Sequence, residues 1–254
     1  MKLKKACPFC SKSHPDIHFT KEHILRDKFN SLFPETPSHI TWENKTRRSD
    51  GGFNIKPIVI PHGPFDSTVN SVCNECNAGW MNTLENHAES SLVELFYARR
   101  NFPSDDNLET LAFWAAKTAA VNALKHRDNL PGFPIDHYAI MKTQLKPPPL
   151  TYVWYCHTAF NQNTYFRYYR AGLPGKPESS FHITTINIGH ALFSIIGSST
   201  HEMNEELMPE IELRDRLYGR VWPEGARHSR PAVTIQDKSH LIKIGELISS
   251  HYLL

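Results

Sequence analysis

Apolar positions change period along this chain, and the changes mark its elements. Between residues 77 and 99, Trp80, Leu84, Ala88, Leu92, Leu95 and Phe96 recur at helical spacing, which predicts a helix with one core face. Residues 108–125 carry Leu108, Leu111, Ala112, Ala115, Ala119 and Leu124 near the same period, with many small residues that permit close helix packing. Ahead of these helices the pattern is shorter. Residues 18–20 read as a strand, 24–33 as a short helix ending before Pro34, and 67–73 alternate toward a strand through Val69 and Val72. Residues 34–67 hold Pro34, Pro37, Pro57, Pro61, Pro64 and Gly51-Gly52, so they read as a long irregular insertion with one strand at 55–60. Farther on, 151–155 and 164–169 are β-branched and aromatic, and Asn161-Gln162-Asn163 between them predicts a hairpin. Residues 181–188 predict a third strand, and 190–196 either continue it or turn helical. From Leu207 on, Pro209, Trp222-Pro223 and Pro231 predict irregular chain, followed by a terminal helix over 238–252.

A linker at Asn101-Phe102-Pro103-Ser104-Asp105-Asp106 divides the expected organisation into residues 1–100 and 101–254. The fold class expected is α+β. Over 254 residues, 40% are hydrophobic and 21% charged, which fits a globular protein without repeats or low-complexity tracts. The most apolar stretch, 186–197, contains Asn187 and His190 and is too short to span a bilayer, so no membrane role is expected. Net charge is only +2, and any case for nucleic acid rests on local clusters. Lys2, Lys4, Lys5 and Lys12 surround the first cysteine pair, Lys45, Arg47 and Arg48 lie between the pairs, and Arg99-Arg100 close the following helix. All fall within the first hundred residues.

Chemistry enters with the cysteines. Cys7-x-x-Cys10 and Cys73-x-x-Cys76 supply four thiolates, the ligand set that tetrahedral structural zinc prefers. A single such pair could be a redox motif or chance; two in a five-cysteine chain point to a metal clamp. Cys156, in an aromatic stretch, reads as a buried small hydrophobe. A disulfide framework is the competing reading. Against it, the chain is long enough to build its own core, and Cys7-Pro8-Phe9-Cys10 stands where a signal peptide's apolar region would lie, so reduced, cytoplasmic thiols are expected.

Within the clamp lies Glu22-His23, and Asn77 directly follows the last cysteine. An imidazole with an ordinary pKa near 6.5 suits a general base at neutral pH. If the fold brings Glu22 and Asn77 together, their oxygens could hold one Mg2+ or Mn2+, hard cations that keep positions for water and phosphate. His23 could then take a proton from water attacking a phosphodiester. Taken singly, each residue also has a plainer reading: Glu22 a solvated carboxylate at a helix start, His23 a half-buried polar residue, Asn77 an N-cap.

The order CxxC, acidic-His, CxxC-Asn opening a helix is similar to the zinc-stapled branch of the HNH, or ββα-metal, endonucleases. Cys73-Asn74-Glu75-Cys76-Asn77-Ala78-Gly79-Trp80-Met81 with Leu84-Glu85 resembles a group of bacterial HNH-type proteins that carry a CxxCN-x-GWM-like sequence. By that resemblance Cys7, Cys10, Cys73 and Cys76 hold structural zinc, His23 is the general base, and Glu22 and Asn77 hold a catalytic Mg2+ or Mn2+. It implies an N-terminal zinc-bound ββα-metal module with a long insertion, followed by a helical and mixed α/β C-terminal region. The activity implied is DNA endonuclease, with RNA disfavoured because no RNP-like aromatic motif appears. Phage defence is an analogy with no residue behind it. Many HNH sequences have Asp or His where this chain has Glu22, and sixty-two residues separate Cys10 from Cys73, so an insertion joins the two strands. His87 stands nearly three helical turns past Asn77, roughly 15 Å, too far to reach the same ion. The other functional class is a non-catalytic zinc-ribbon module binding nucleic acid or protein. Residues 101–254 could carry DNA recognition, a homo-oligomer surface or a regulatory partner.

Overall fold

The computed structural model describes residues 5–35, 37–48, 50, 52–125, 132–173, 176–223, 234–237 and 239. Its class is mixed α+β, as expected, and among these residues no helix is long and apolar enough to cross a membrane. Strand β1 (Phe19–His23) is followed by a 3-10 turn at Asp27–Leu32, strands β2 (Ile40–Arg47) and β3 (Phe53–Ile60), a second turn at Pro64–Asp66, and strand β4 (Thr68–Cys73). The chain then turns helical through α1 (Asn74–Cys76), a wide turn over Asn77–Met81 kinked at Gly79, and α2 (Asn82–Phe96). Helices α3 (Leu108–Ala123) and α4 (Ile135–Gln144), the long strands β5 (Thr151–Leu173) and β6 (Lys176–Ser198), helices α5 (His201–Glu206) and α6 (Met208–Leu217), and strand β7 (Gly219–Trp222) complete it.

Among the described residues the strands form three sheets. β1 pairs antiparallel with β4, Phe19 opposite Cys73 and His23 opposite Thr68, with an irregularity between Thr20 and Glu22. β2 and β3 form a separate hairpin, and the third sheet runs β6-β5-β7. Alternation along the long strands assigns its two faces. Val153, Tyr155, Phe193 and Ile195 join the core that holds α2, α3 and the four cysteines, whereas Trp154, Cys156, Leu192 and Ile196 join a second core with Met203, Leu207 and Ile211. Helices α2 and α3 therefore cover one face, α5 and α6 the other. The first core runs without a break from Cys7 to Val221, across the linker expected at 101–106.

Several expectations are corrected. The insertion is not one strand in irregular chain but a full hairpin, because 40–47 are as extended as 53–60 and pair with them residue for residue. Asn161-Gln162-Asn163 do not turn; they lie inside β5, where the register to β6 slips between His157 and Tyr165. A polar run is tolerated there as a bulge in a continuous ladder. Residues 190–196 are strand, and 181–188 and 190–196 are one element. Gly189 joins them at φ +56°, where an added Cβ would stand 2.4 Å from the Phe96 carbonyl oxygen, so a glycine is required at this crossing of β6 over the end of α2. The helix expected over 24–33 tightens to Asp27–Leu32, and that expected over 77–99 ends at Phe96, with Ala98 at φ 55°. The tail from 207 is helical before it becomes strand, since Pro209 sits in the first turn of α6, where its missing N–H costs nothing. The helix expected over 238–252 lies, but for Ser239, outside the described residues.

Candidate functional site

Two knuckles build the cysteine cluster. In the first, Cys7 N donates to Lys12 O (2.9 Å) and Ser11 N to Cys7 O (2.8 Å), with Ser11 in the left-handed region at φ 59°. The second sits where β4 becomes helical, and Asn74 N donates to His18 O (2.8 Å), tying it to the start of β1. Lys12 crosses between knuckles to Glu75 (2.7 Å). Phe9, inside the first knuckle, wedges edge-on against Trp80 (5.5 Å) and Tyr138 (5.1 Å), and Trp80 stacks on Phe113 (5.5 Å).

All four ligand sulfurs lie within 4.8 Å of one another, and Cys10 and Cys73 Sγ are 3.6 Å apart. Four sulfurs about 2.3 Å from a tetrahedral zinc would be about 3.8 Å apart, so the cluster could hold a metal ion and fits zinc. None of the five cysteines is in a disulfide, which removes the disulfide framework. Cys76 donates to Cys7, holding the Cys7 thiol down to about 4, and the same contact pushes Cys76 up. Burial pushes Cys156 up to about 12, in keeping with a core hydrophobe.

Glu22 and His23 close β1, Glu22 buried and His23 partly so. Asn77 reaches back to this strand: its Nδ2 donates to Thr20 Oγ1 (3.0 Å) and to Lys21 O (3.2 Å). Glu22, His23 and Asn77 are thus brought to one strand pair and the helix that follows it. His87 is exposed on α2. Among the described residues, the cysteines form the only group of three or more His, Cys, Asp or Glu side chains close enough to share an ion.

One participant escaped the sequence reading. Lys117, on α3 and fully buried, points its ammonium between Glu85 (2.6 Å) and Glu22 (3.4 Å). The shorter contact has charge-assisted length and the longer does not, so Lys117 belongs chiefly to Glu85 and leaves Glu22 with unused acceptor capacity. Burial raises the Glu22 carboxyl above its ordinary range, against the pull of Lys117 and with the push of Glu85. Burial pulls Lys117 toward its neutral form, yet Glu85 and Glu22 outweigh it and its pKa lies above the ordinary lysine value. A signal was present: Lys117 is the single cation in Leu108–Ala123, a mostly apolar run. Lys125, whose Nζ bonds Ser67 Oγ one residue before the strand position facing His23, is lowered to about 8 by burial.

Of the basic clusters, Lys5 stands 4.2 Å over the Phe19 ring and Arg100 pairs with Glu94 (2.7 Å); Lys2 and Lys4 lie outside the described residues. Comparison of the chain with protein-family profiles, with curated proteins and with solved structures finds no match in any of the three.

Proposed function

We propose that residues 1–100 form a zinc-stapled HNH, or ββα-metal, unit and that the protein is a metal-dependent endonuclease acting on DNA. One observation carries this reading. Strand β1 ends in Glu22-His23 and pairs with β4, which runs through two thiol ligands into a helical segment whose Asn77 is hydrogen-bonded back to β1. Zinc on Cys7, Cys10, Cys73 and Cys76 is structural: four thiolates leave it no open position for substrate.

In this mechanism His23 accepts the proton of the attacking water as the water's oxygen bonds to phosphorus and the leaving oxygen departs. Glu22 and Asn77 Oδ1 are the oxygens that would hold Mg2+ or Mn2+, and the Asn77 amide, fixed to β1 through Nδ2, keeps its oxygen oriented. The bound cation supplies charge neutralisation at the scissile phosphate and the leaving oxygen. Lys117 positions Glu22 from behind while its main bond goes to Glu85.

A second reading, a non-catalytic zinc-ribbon module, is favoured by the burial of Glu22, only 5% exposed and in an ion pair that ties β1 to α3. Cleavage of supercoiled plasmid by wild type and His23→Ala in Mg2+ or Mn2+, with zinc content and melting compared, separates the two. The nuclease reading expects His23→Ala to cut about 10²- to 10⁴-fold more slowly with an unchanged melt. Failure of wild type to cut duplex, branched or single-stranded DNA or RNA would leave the binding module.

A further inference from the structure

Among the described residues, the hairpin of β2 and β3 joins no other sheet of the protein. Among the described residues the two strands pair only with each other, over eight opposed positions from Ile40–Ile60 to Arg47–Phe53. On β3, residues 54–59 are exposed without interruption. Ile58 and Val59 are adjacent and so face opposite ways, yet expose 41% and 66% of their surface, and Ile55 exposes 56%. Neither face of this strand is covered.

The root of the hairpin, by contrast, is fastened. Phe29 and Phe33 pack on Phe65 and Phe96, Asn30 bonds Asp66 (3.0 Å), and Arg26 bonds Glu89 (2.6 Å) on α2. The insertion leaves β1 just after His23 and returns at Thr68, which faces His23 across the strand pair. A free two-stranded ribbon with exposed β-branched residues is marginal in water alone, and this one stands on a rigid base beside the candidate site.

Its chemistry selects the occupant. The hairpin, residues 40–60, carries Lys45, Arg47, Arg48 and Lys56 against two carboxylates, Glu43 and Asp50, with Arg48 paired to Asp50 (2.5 Å). A second copy would bring the same excess of positive charge. Strand addition to β3 is also hindered, since Pro57 offers no N–H and exposed Lys56 stands beside it. A polyanion matches the excess, and a two-stranded ribbon fits a major groove about 12 Å wide. Isoleucine and valine methyls there would meet thymine methyls while the cations reach flanking phosphates.

We propose that the β2–β3 hairpin is a DNA-binding arm that lies in the major groove of a duplex and holds it against the site at His23. The arm rests on the nuclease reading for its ligand, and its test separates the two. Full-length His23→Ala is titrated with a duplex of about 25 base pairs at several salt concentrations, alone and carrying either K45Q/R47Q/R48Q/K56Q or Ile55→Ser/Val59→Ser, with a melting curve for each as the folding control. The arm predicts that the four-charge variant binds about 100-fold more weakly near 0.1 M salt, with a log K against log salt slope shallower by about three. The apolar variant should bind about 5- to 10-fold more weakly at unchanged slope. Unchanged affinity and slope in both variants would overturn the arm, and plasmid cleavage by wild type would then leave the nuclease reading standing. If the parent binds no duplex and wild type cuts none, arm and nuclease fall together. If wild type sediments as a dimer and Ile55→Ser/Val59→Ser as a monomer with the same DNA affinity, the ribbon belongs to a second copy and the proposal is wrong.

Discussion

A lysine ammonium with no exposed surface is sustained here by two carboxylates, and removing it exposes how much each residue depends on the others. Lys117→Met keeps the length of the side chain but leaves Glu22 and Glu85 in a buried pocket without a counter-charge, and breaking such a pair costs about 3–5 kcal/mol. Denaturant unfolding at pH 7.5 should register that loss. Adding Glu22→Gln to the same chain should restore part of it, because one uncompensated charge is then gone. A loss under about 1 kcal/mol would mean that water already serves the two carboxylates. The same pair of variants bears on function, since a Glu22 held only for structure has no reason to be an acid at all.

Between elements, the docking of α4 on β6 depends on two neutral imidazoles. His137 from α4 and His182 from β6 are both buried, with Phe133 stacked on His182 (4.5 Å) and edge-on to His137 (5.9 Å), and Gly197 leaves the space that the His182 ring fills. Burial lowers His137 to about 4, against the pull of Asp136, and lowers His182 to about 3, with His137 adding to the effect. Folded pKa values below the ordinary 6.5 mean that the unfolded chain takes up these protons first. Their contribution is therefore intact above pH 6.5 and is lost as pH falls toward 4, at about 1.4 kcal/mol per pH unit for each ring. His182→Gln should flatten the stability-against-pH slope between pH 6 and 4.5 by about one proton; an unchanged slope would mean that the ring is already charged in the fold. Elements such as α2 and α3 were legible because their apolar positions keep one period for four turns. β5 and β6 were legible as strands but not in their length, since Asn161-Gln162-Asn163 carries turn chemistry that the neighbouring ladder overrides. The cysteine cluster was legible, because its four thiols follow from residue type and spacing. Lys117 was hidden because its partners are 95 and 32 residues away and only the packing of α3 joins them.

At the scale of the molecule, the cysteine cluster and the sheet share one core: Cys7 and Cys76 belong to the same apolar cluster as Phe193 and Val221. Loss of the metal should therefore reach beyond the first hundred residues. Elemental analysis should find one zinc per chain, and a strong chelator or Cys73→Ser should lower the melting midpoint by about 10 °C or more in the near-ultraviolet signal, to which Trp114 of the same core contributes. A zinc-free protein that melts at the same temperature would remove the clamp from the account of stability. The position of Lys117 has a further consequence for the order in which a ribosome delivers the chain. Both thiol pairs emerge before α3 does, so a nascent chain can close its cysteine clamp while the carboxylate of Glu22 still waits for its cation. The proposed active centre is then completed only after translation has passed residue 117, and a truncated product ending at the linker would be a clamp without a working site.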